Sequence, residues 1–225
     1  MKRLAIATLA ALASAHVACT NDATVIETTD VDPASISSTI EVTSNGVGAS
    51  VQLGWSSSTD TTRSLVVGAG DRLVVRAADA APRDLSYVEG RYFAYLPTTS
   101  QTVTIALMRP AGELAFDVLL PKDFTVEGPP APVSRSVPME FKWVADPTRG
   151  AALTLLSTCF SLAIERSVAK DTGSFTFYPG DFGQVKTACT FSVAVTRTGS
   201  YSASTPFRMN GITRQVRTIR VETNP

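Results

Sequence analysis

Apolar and polar residues alternate along most of this chain with a period of two, the signature of strands that bury one face. "VQLGW" sets Val51, Leu53 and Trp55 on one side, and "TVTIAL" aligns Val103, Ile105 and Leu107. "ELAFDVLL" aligns Leu114, Phe116, Val118 and Leu120 before Pro121 stops it. "SLVVGAGDRLVVRA" carries two valine-rich arms around Gly68-Ala69-Gly70-Asp71, a predicted hairpin, because glycine supplies the positive φ that such turns need.

The alternation then breaks at "EGPPAPVSRSVP". Pro129, Pro130, Pro132 and Pro138 lack the backbone donors of a central strand or helix, which predicts a linker over 128–138. Beyond it "VPMEFKW" places Val137, Met139, Phe141 and Trp143 on one face. "SFTFY", "CTFSVAV" and "VRTIRV" follow, with Asn210-Gly211 as the expected turn between late strands. Trp55 and Trp143 each close an alternating strand and lead into polar residues, a spacing that suits two sandwiches of about 100 residues each. The predicted fold class is therefore all-β: two tandem immunoglobulin-like β-sandwich domains, 36–127 and 139–225. Residues 151–170, "AALTLLSTCFSLAIERSVAK", also fit a helical template through Leu155, Leu156, Cys159, Phe160 and Ala163. The all-β surroundings favour a strand, with Phe160, Leu162 and Ile164 turned to the core.

The N-terminus follows a different pattern. Lys2 and Arg3 precede an uncharged run from Leu4 to Ala15, the composition of an export signal over 1–18. That run is shorter than the ~20 apolar residues of a membrane-spanning helix. Val17-Ala18-Cys19 fits the end of a lipobox, in which Cys19 becomes the acylated first residue, although His16 stands where an aliphatic residue is usual. Ala13-Ser14-Ala15 offers the alternative of ordinary cleavage before His16, giving a soluble secreted chain. If Cys19 carries lipid, residues 19–35 read as a polar tether, and Cys159 and Cys189 remain as a natural disulfide pair. That bridge closes about 31 residues and is worth roughly 3–4 kcal/mol in the loop-entropy picture. Cys189 shares a face with Phe191, Val193 and Val195, so the pairing requires a bulge, or Cys159 beyond the regular strand.

Removing 1–18 takes Lys2 and Arg3 from the 20 basic residues and leaves 18 against 20 acidic ones, a net charge of −2. No dense basic cluster remains, so a nucleic-acid partner is not expected. His16, the one histidine, lies in the signal. The mature lipoprotein would have none, which removes Ser-His-Asp and Cys-His catalysis and the imidazole metal sites. No cofactor and no metal are expected.

The Cys19 signal, the Trp143 strand, the Cys159/Cys189 pair and "FSVAVTR" together resemble bacterial envelope lipoproteins with immunoglobulin- or fibronectin-III-like modules, a largely uncharacterised group. The resemblance implies an exported, lipid-anchored protein of the outer membrane or periplasm, with a fibronectin-III-like second domain. It implies no activity. The expected function is a non-catalytic binding or scaffold module whose partner is an envelope protein or a glycan. The alternatives are a glycosidase-like hydrolase working with two carboxylates, and a purely structural subunit of an envelope assembly.

Two motifs carry candidate chemistry. "YVEGRYFAYLP" gathers Tyr87, Arg91, Tyr92 and Tyr95 as a candidate binding surface, since aromatic faces stack on sugars and anchor protein partners. Tyr92 and Ala94 alternate with Phe93 and Tyr95, so one of those two sets is expected in the core. Asp171-Thr172-Gly173-Ser174 looks like the aspartic-protease signature. It occurs once, after the charged "ERSVAK", and is read as a turn feeding a strand. Asp22, Asp30 and Asp32 lack the spacing of a calcium loop.

Overall fold

The computed structural model describes residues 25–57, 64–183, 185–204 and 206–225. Cys19, His16 and the signal lie outside them. The strands of the N-terminal part are β1 (Ile26–Glu27), β2 (Ile36–Ser44), β3 (Ala49–Ser57), β4 (Leu65–Val66), β5 (Arg72–Ala77) and β6 (Ala80–Asp84). β7 (Ser86–Val88), β8 (Arg91–Leu96), β9 (Thr102–Arg109) and β10 (Gly112–Leu119) complete it. Short strands β11 (Val126–Glu127) and β12 (Val133–Ser134) lead into β13 (Met139–Trp143), β14 (Ala151–Ser157), β15 (Ile164–Val168) and β16 (Ser174–Phe177). Two long strands end the chain, β17 (Cys189–Ala203) and β18 (Arg208–Asn224). The fold class is all-β, as the alternation requires.

Two separate apolar cores form. The first contains Val51, Leu53 and Trp55 from β3, Val103, Ile105 and Leu107 from β9, and Phe116 and Val118 from β10. These are the inward sets that the period-2 pattern selects. The second contains Met139, Phe141 and Trp143, Leu153 and Leu155, and Phe191, Val193 and Val195. In the second body a three-stranded sheet, β11-β13-β16, faces the four strands β15-β14-β17-β18 of the large sheet. In the first, β10-β9-β5-β6 faces β2-β3-β8-β7.

The joint between them departs from the sequence reading. β17 and β18 pair antiparallel without a break from Cys189↔Thr223 to Ala203↔Met209. The hairpin is too long for one sandwich, so its tip enters the other. Arg208–Gln215 of β18 pair in parallel with Ser37–Ser44 of β2, fusing both bodies into one nine-stranded sheet. Phe207 and Met209, assigned by sequence to the second domain, are fully buried in the first core. Phe207 lies 5.7 Å from Trp55 and edge-on to Phe116 at 6.3 Å. Where the hairpin passes between cores its inward stripe turns polar, at Arg197, Thr213 and Gln215.

Other expectations are corrected at the level of partners. Asn210-Gly211 is no turn: both lie inside β18 opposite Thr39 and Ile40, and the chain reverses between Ala203 and Arg208. Gly211 is needed because a Cβ there would overlap the Ile40 backbone. Gly68–Asp71 is a turn, with Gly70 at φ 89° and Asp71 N donating to Gly68 O at 3.1 Å, but not a hairpin. Its first arm, β4, pairs with β1, whereas β5 pairs with β6 and β9. Residues 151–170 are two strands joined by a turn, so Leu162 is 80% exposed rather than in the core. Val137 is also exposed, ahead of β13.

The C-terminal part of the expected tether, from Ile26 to Ser35, is folded onto the first body. From Ile26 the chain is docked: β1 pairs with β4, and Thr28 is completely buried. Thr28 Oγ1 donates to Asp71 Oδ2 at 2.7 Å and accepts from Gly68 N at 3.0 Å, while Arg109 donates to Thr28 O and pairs with Asp71. These bonds fix residues that composition alone reads as solvated. Among the described residues no helix is long and apolar enough to cross a membrane.

Candidate functional site

The disulfide joins Cys159 to Cys189 with Cα atoms 5.7 Å apart. Cys159 sits just past the end of β14, which is how it meets the inward-facing Cys189 without a bulge. Arg135 anchors the same corner. Its guanidinium is buried and donates to Thr223 Oγ1 (2.8 Å), Val185 O (2.7 Å) and Thr187 O (2.6 Å).

The protease-like motif is structural. Asp171 and Arg197 are both 0% exposed and paired at 2.5 Å. Asp171 also accepts from Trp143 Nε1 at 2.6 Å and from Gly173 N at 3.0 Å. Arg197 further donates to Lys122 O and Val144 O, and its guanidinium lies 4.4 Å from the centre of the Phe124 ring. Beside it Asp123 accepts from Gln215 and Arg217. Both carboxylate oxygens of Asp171 accept from groups that fix the joint, and the side chain is fully buried.

The four residues of the aromatic motif do not form one surface. On β8, Tyr92 points into the first core, 4% exposed, between Trp55 (5.9 Å) and Tyr87 (5.0 Å). Its hydroxyl accepts from Val67 N at 2.6 Å, and burial pushes its phenol up from the ordinary value. Tyr92 is therefore withdrawn from the binding surface. Tyr87 is 42% exposed at the mouth of a cleft of about 410 Å³ that Tyr92 helps to floor. Arg91 and Tyr95 lie on the opposite, outer side of the sheet, where Tyr95 packs across Gly48.

Asp71 and Asp84, two side chains of the type a two-carboxylate hydrolase uses, both line the 410 Å³ cleft. Asp84 is held by Arg72 through bonds of 2.8 and 3.0 Å, and Asp71 by Thr28 and Arg109. Each of the two carboxylates thus faces an arginine. Among the described residues no three His, Cys, Asp or Glu side chains gather as metal ligands.

A second concavity lies on the outer face of the nine-stranded sheet. It holds about 390 Å³ and combines Thr39, Glu41, Gln52, Gly54 and Arg91 of the first body with Asn210 and Ile212 of the C-terminal hairpin. Register explains its shape. Thr39 pairs with Gly54 on one side and with Asn210 on the other, and Glu41 likewise joins Gln52 to Ile212. Gly54 contributes no side chain to its row, and that gap is the floor. Glu41 is paired to Arg214. Arg91, Gln52, Thr39 and Asn210 have no side-chain hydrogen bond or ion pair with another described residue. Sequence reasoning found Arg91 but missed the rest, because Asn210 and Ile212 reach the groove only through the parallel pairing of β18 with β2.

No protein-family model matches the chain, and no curated protein matches it. Among solved structures it is similar to the FN1–FN3 domains of chicken CNTN1, at 13% identity over 84% of this chain and 67% of that one, with a TM-score of 0.28. It is also similar to a cytokine receptor complex, at 14% identity over 78% of this chain and 94% of that one, with a TM-score of 0.27. At such scores neither likeness bears on function, and the β-sandwich architecture stands on the strand order given above.

Proposed function

We propose that this chain is a lipid-anchored, non-catalytic binding or scaffold module of the bacterial envelope, tethered through Cys19 and presenting the outer face of its nine-stranded sheet to a partner. The observation that carries the reading is the composite groove. Residues distant in sequence meet there, and four polar side chains turn outward with no side-chain hydrogen bond or ion pair to another described residue. Exposed polar groups of that kind serve recognition through side chains, while the sheet beneath holds them at fixed spacing.

The anchor rests on the Cys19 signal. The chain is docked from Ile26 onward, seven residues beyond Cys19, a span of at most about 25 Å. The body would therefore be held close to the membrane surface, a geometry suited to a partner in the same envelope layer.

The test has two arms. Detergent phase partitioning of the native precursor should place the mature chain in the detergent phase and its Cys19→Ser variant in the aqueous phase. A photo-crosslinking amino acid in place of Gln52, in the anchored chain, should yield discrete adducts that the same group at Ser167 does not. Wild-type chain wholly in the aqueous phase overturns the anchor, and absence of adducts at Gln52 overturns the binding reading.

A further inference from the structure

Taking the groove as the binding face proposed above, we infer that its ligand is an acidic oligosaccharide, one whose sugar rings carry carboxylates. The groove lies in the interior of a sheet. Backbone donors and acceptors of β2, β3, β8 and β18 are committed to their neighbouring strands there, so no extended peptide can add itself by main-chain pairing. Recognition has to run through side chains. Gln52 and Asn210 each offer an amide donor and an acceptor, a match for adjacent sugar hydroxyls, and Thr39 adds a hydroxyl between them.

Charge selects the acidic class. Glu41, the one carboxylate on the groove wall, is neutralised by Arg214, whereas Arg91 has no carboxylate partner among the described residues. Among the described residues the local balance is one guanidinium in excess, and a guanidinium fork recognises a carboxylate in a bidentate manner. Arg91 sits on β8, whose residue Leu53↔Tyr92 pairing places it beside the Gly54 floor. From there the outer side of β8 continues through Phe93 to Tyr95, spaced by about 6.8 Å per two residues. Phe93 pairs with Gln52, and Tyr95 is 49% exposed, so the strand leads from a cation onto apolar ring faces on which the CH side of a sugar can lie. A volume of about 390 Å³ is within the range of small-ligand sites.

The experiment titrates the folded mature chain with a trimer of galacturonic acid and with its carboxyl-reduced neutral counterpart, read by amide chemical shifts and by calorimetry. The acidic trimer should bind, shifting amides at Gln52, Arg91 and Asn210, and the neutral one should bind at least about tenfold more weakly. Arg91→Gln should erase that preference, so that the acidic and neutral trimers bind alike. Gly54→Val should abolish both, with circular dichroism confirming that each variant is folded. No binding of the acidic trimer at millimolar concentration, or equal binding by wild type and Arg91→Gln, overturns the inference. If the sugar fails while crosslinks at Gln52 persist, the groove binds another partner and only the glycan assignment falls; if both fail, the binding reading falls with it.

Discussion

Removing the carboxylate of Asp171 is the most demanding perturbation of this fold. The residue is 0% exposed, pairs with an equally buried Arg197 at 2.5 Å, and accepts from Trp143 Nε1 at 2.6 Å. Asp171→Ala leaves a guanidinium in the interior without counter-charge, and breaking a buried pair in this way costs about 3–5 kcal/mol. Domains of this size are stable by about 5–15 kcal/mol, so from about a fifth to all of the total is at stake. Asp171→Asn separates the Trp143 and Gly173 bonds from the ion pair. It keeps an oxygen for those two donors but turns an amide NH2 toward Arg197 Nε, so the ion pair is lost together with its hydrogen bond, for an expected cost also of about 3–5 kcal/mol. The double variant Asp171→Leu with Arg197→Met removes both charges and should be more stable than Asp171→Ala. Urea unfolding at pH 7, followed by tryptophan emission and far-ultraviolet circular dichroism, measures all three. An Asp171→Ala variant within about 0.5 kcal/mol of wild type would refute the account of the joint. Acid proteolysis by the wild type that vanishes in the variant would instead revive the protease reading of "DTGS".

Three further outcomes follow from the same contacts. Phe207→Ala should cost about 3–5 kcal/mol and change the emission of Trp55, 5.7 Å away, although Phe207 lies in the C-terminal hairpin; an effect confined to Trp143 would contradict the shared core. Replacing Cys159 and Cys189 by serine should lower stability by roughly 3–4 kcal/mol, since the bridge spans 30 residues, and reductant should have no further effect on that variant in urea unfolding. Asp79 is held at about 2 rather than 3.8, first by the Thr98 hydroxyl and then by the Thr99 amide and hydroxyl. A depressed carboxyl stabilises above its unfolded value, so this contribution is complete above about pH 4 and is lost as pH falls toward 2. The melting-temperature gap between wild type and Asp79→Asn should close over that interval, and a constant gap would show that the bonds do not matter.

The sequence by itself determined which residues face inward, because side-chain alternation along a strand is local. Val51, Leu53, Trp55, Val103, Ile105, Phe141 and Trp143 are buried as their spacing requires. The cysteine count also pointed to the pairing of Cys159 with Cys189, which the structure joins. Tertiary structure decided which strands meet. A period of two says nothing about the neighbour across the hydrogen bonds, which is why Asn210-Gly211 read as a turn and the Gly68–Asp71 turn as a hairpin. One signal of the shared hairpin was present and went unread: along β17 and β18 the inward positions turn polar at Arg197, Thr213 and Gln215, then apolar again at Tyr201 and Met209. An inward charge has to be paired or hydrogen-bonded to persist, and Arg197 meets the buried carboxylate of Asp171 where the hairpin leaves one core for the other. The groove belongs wholly to the tertiary level, since Arg91 and Asn210 come together only through long-range strand pairing that no local pattern encodes.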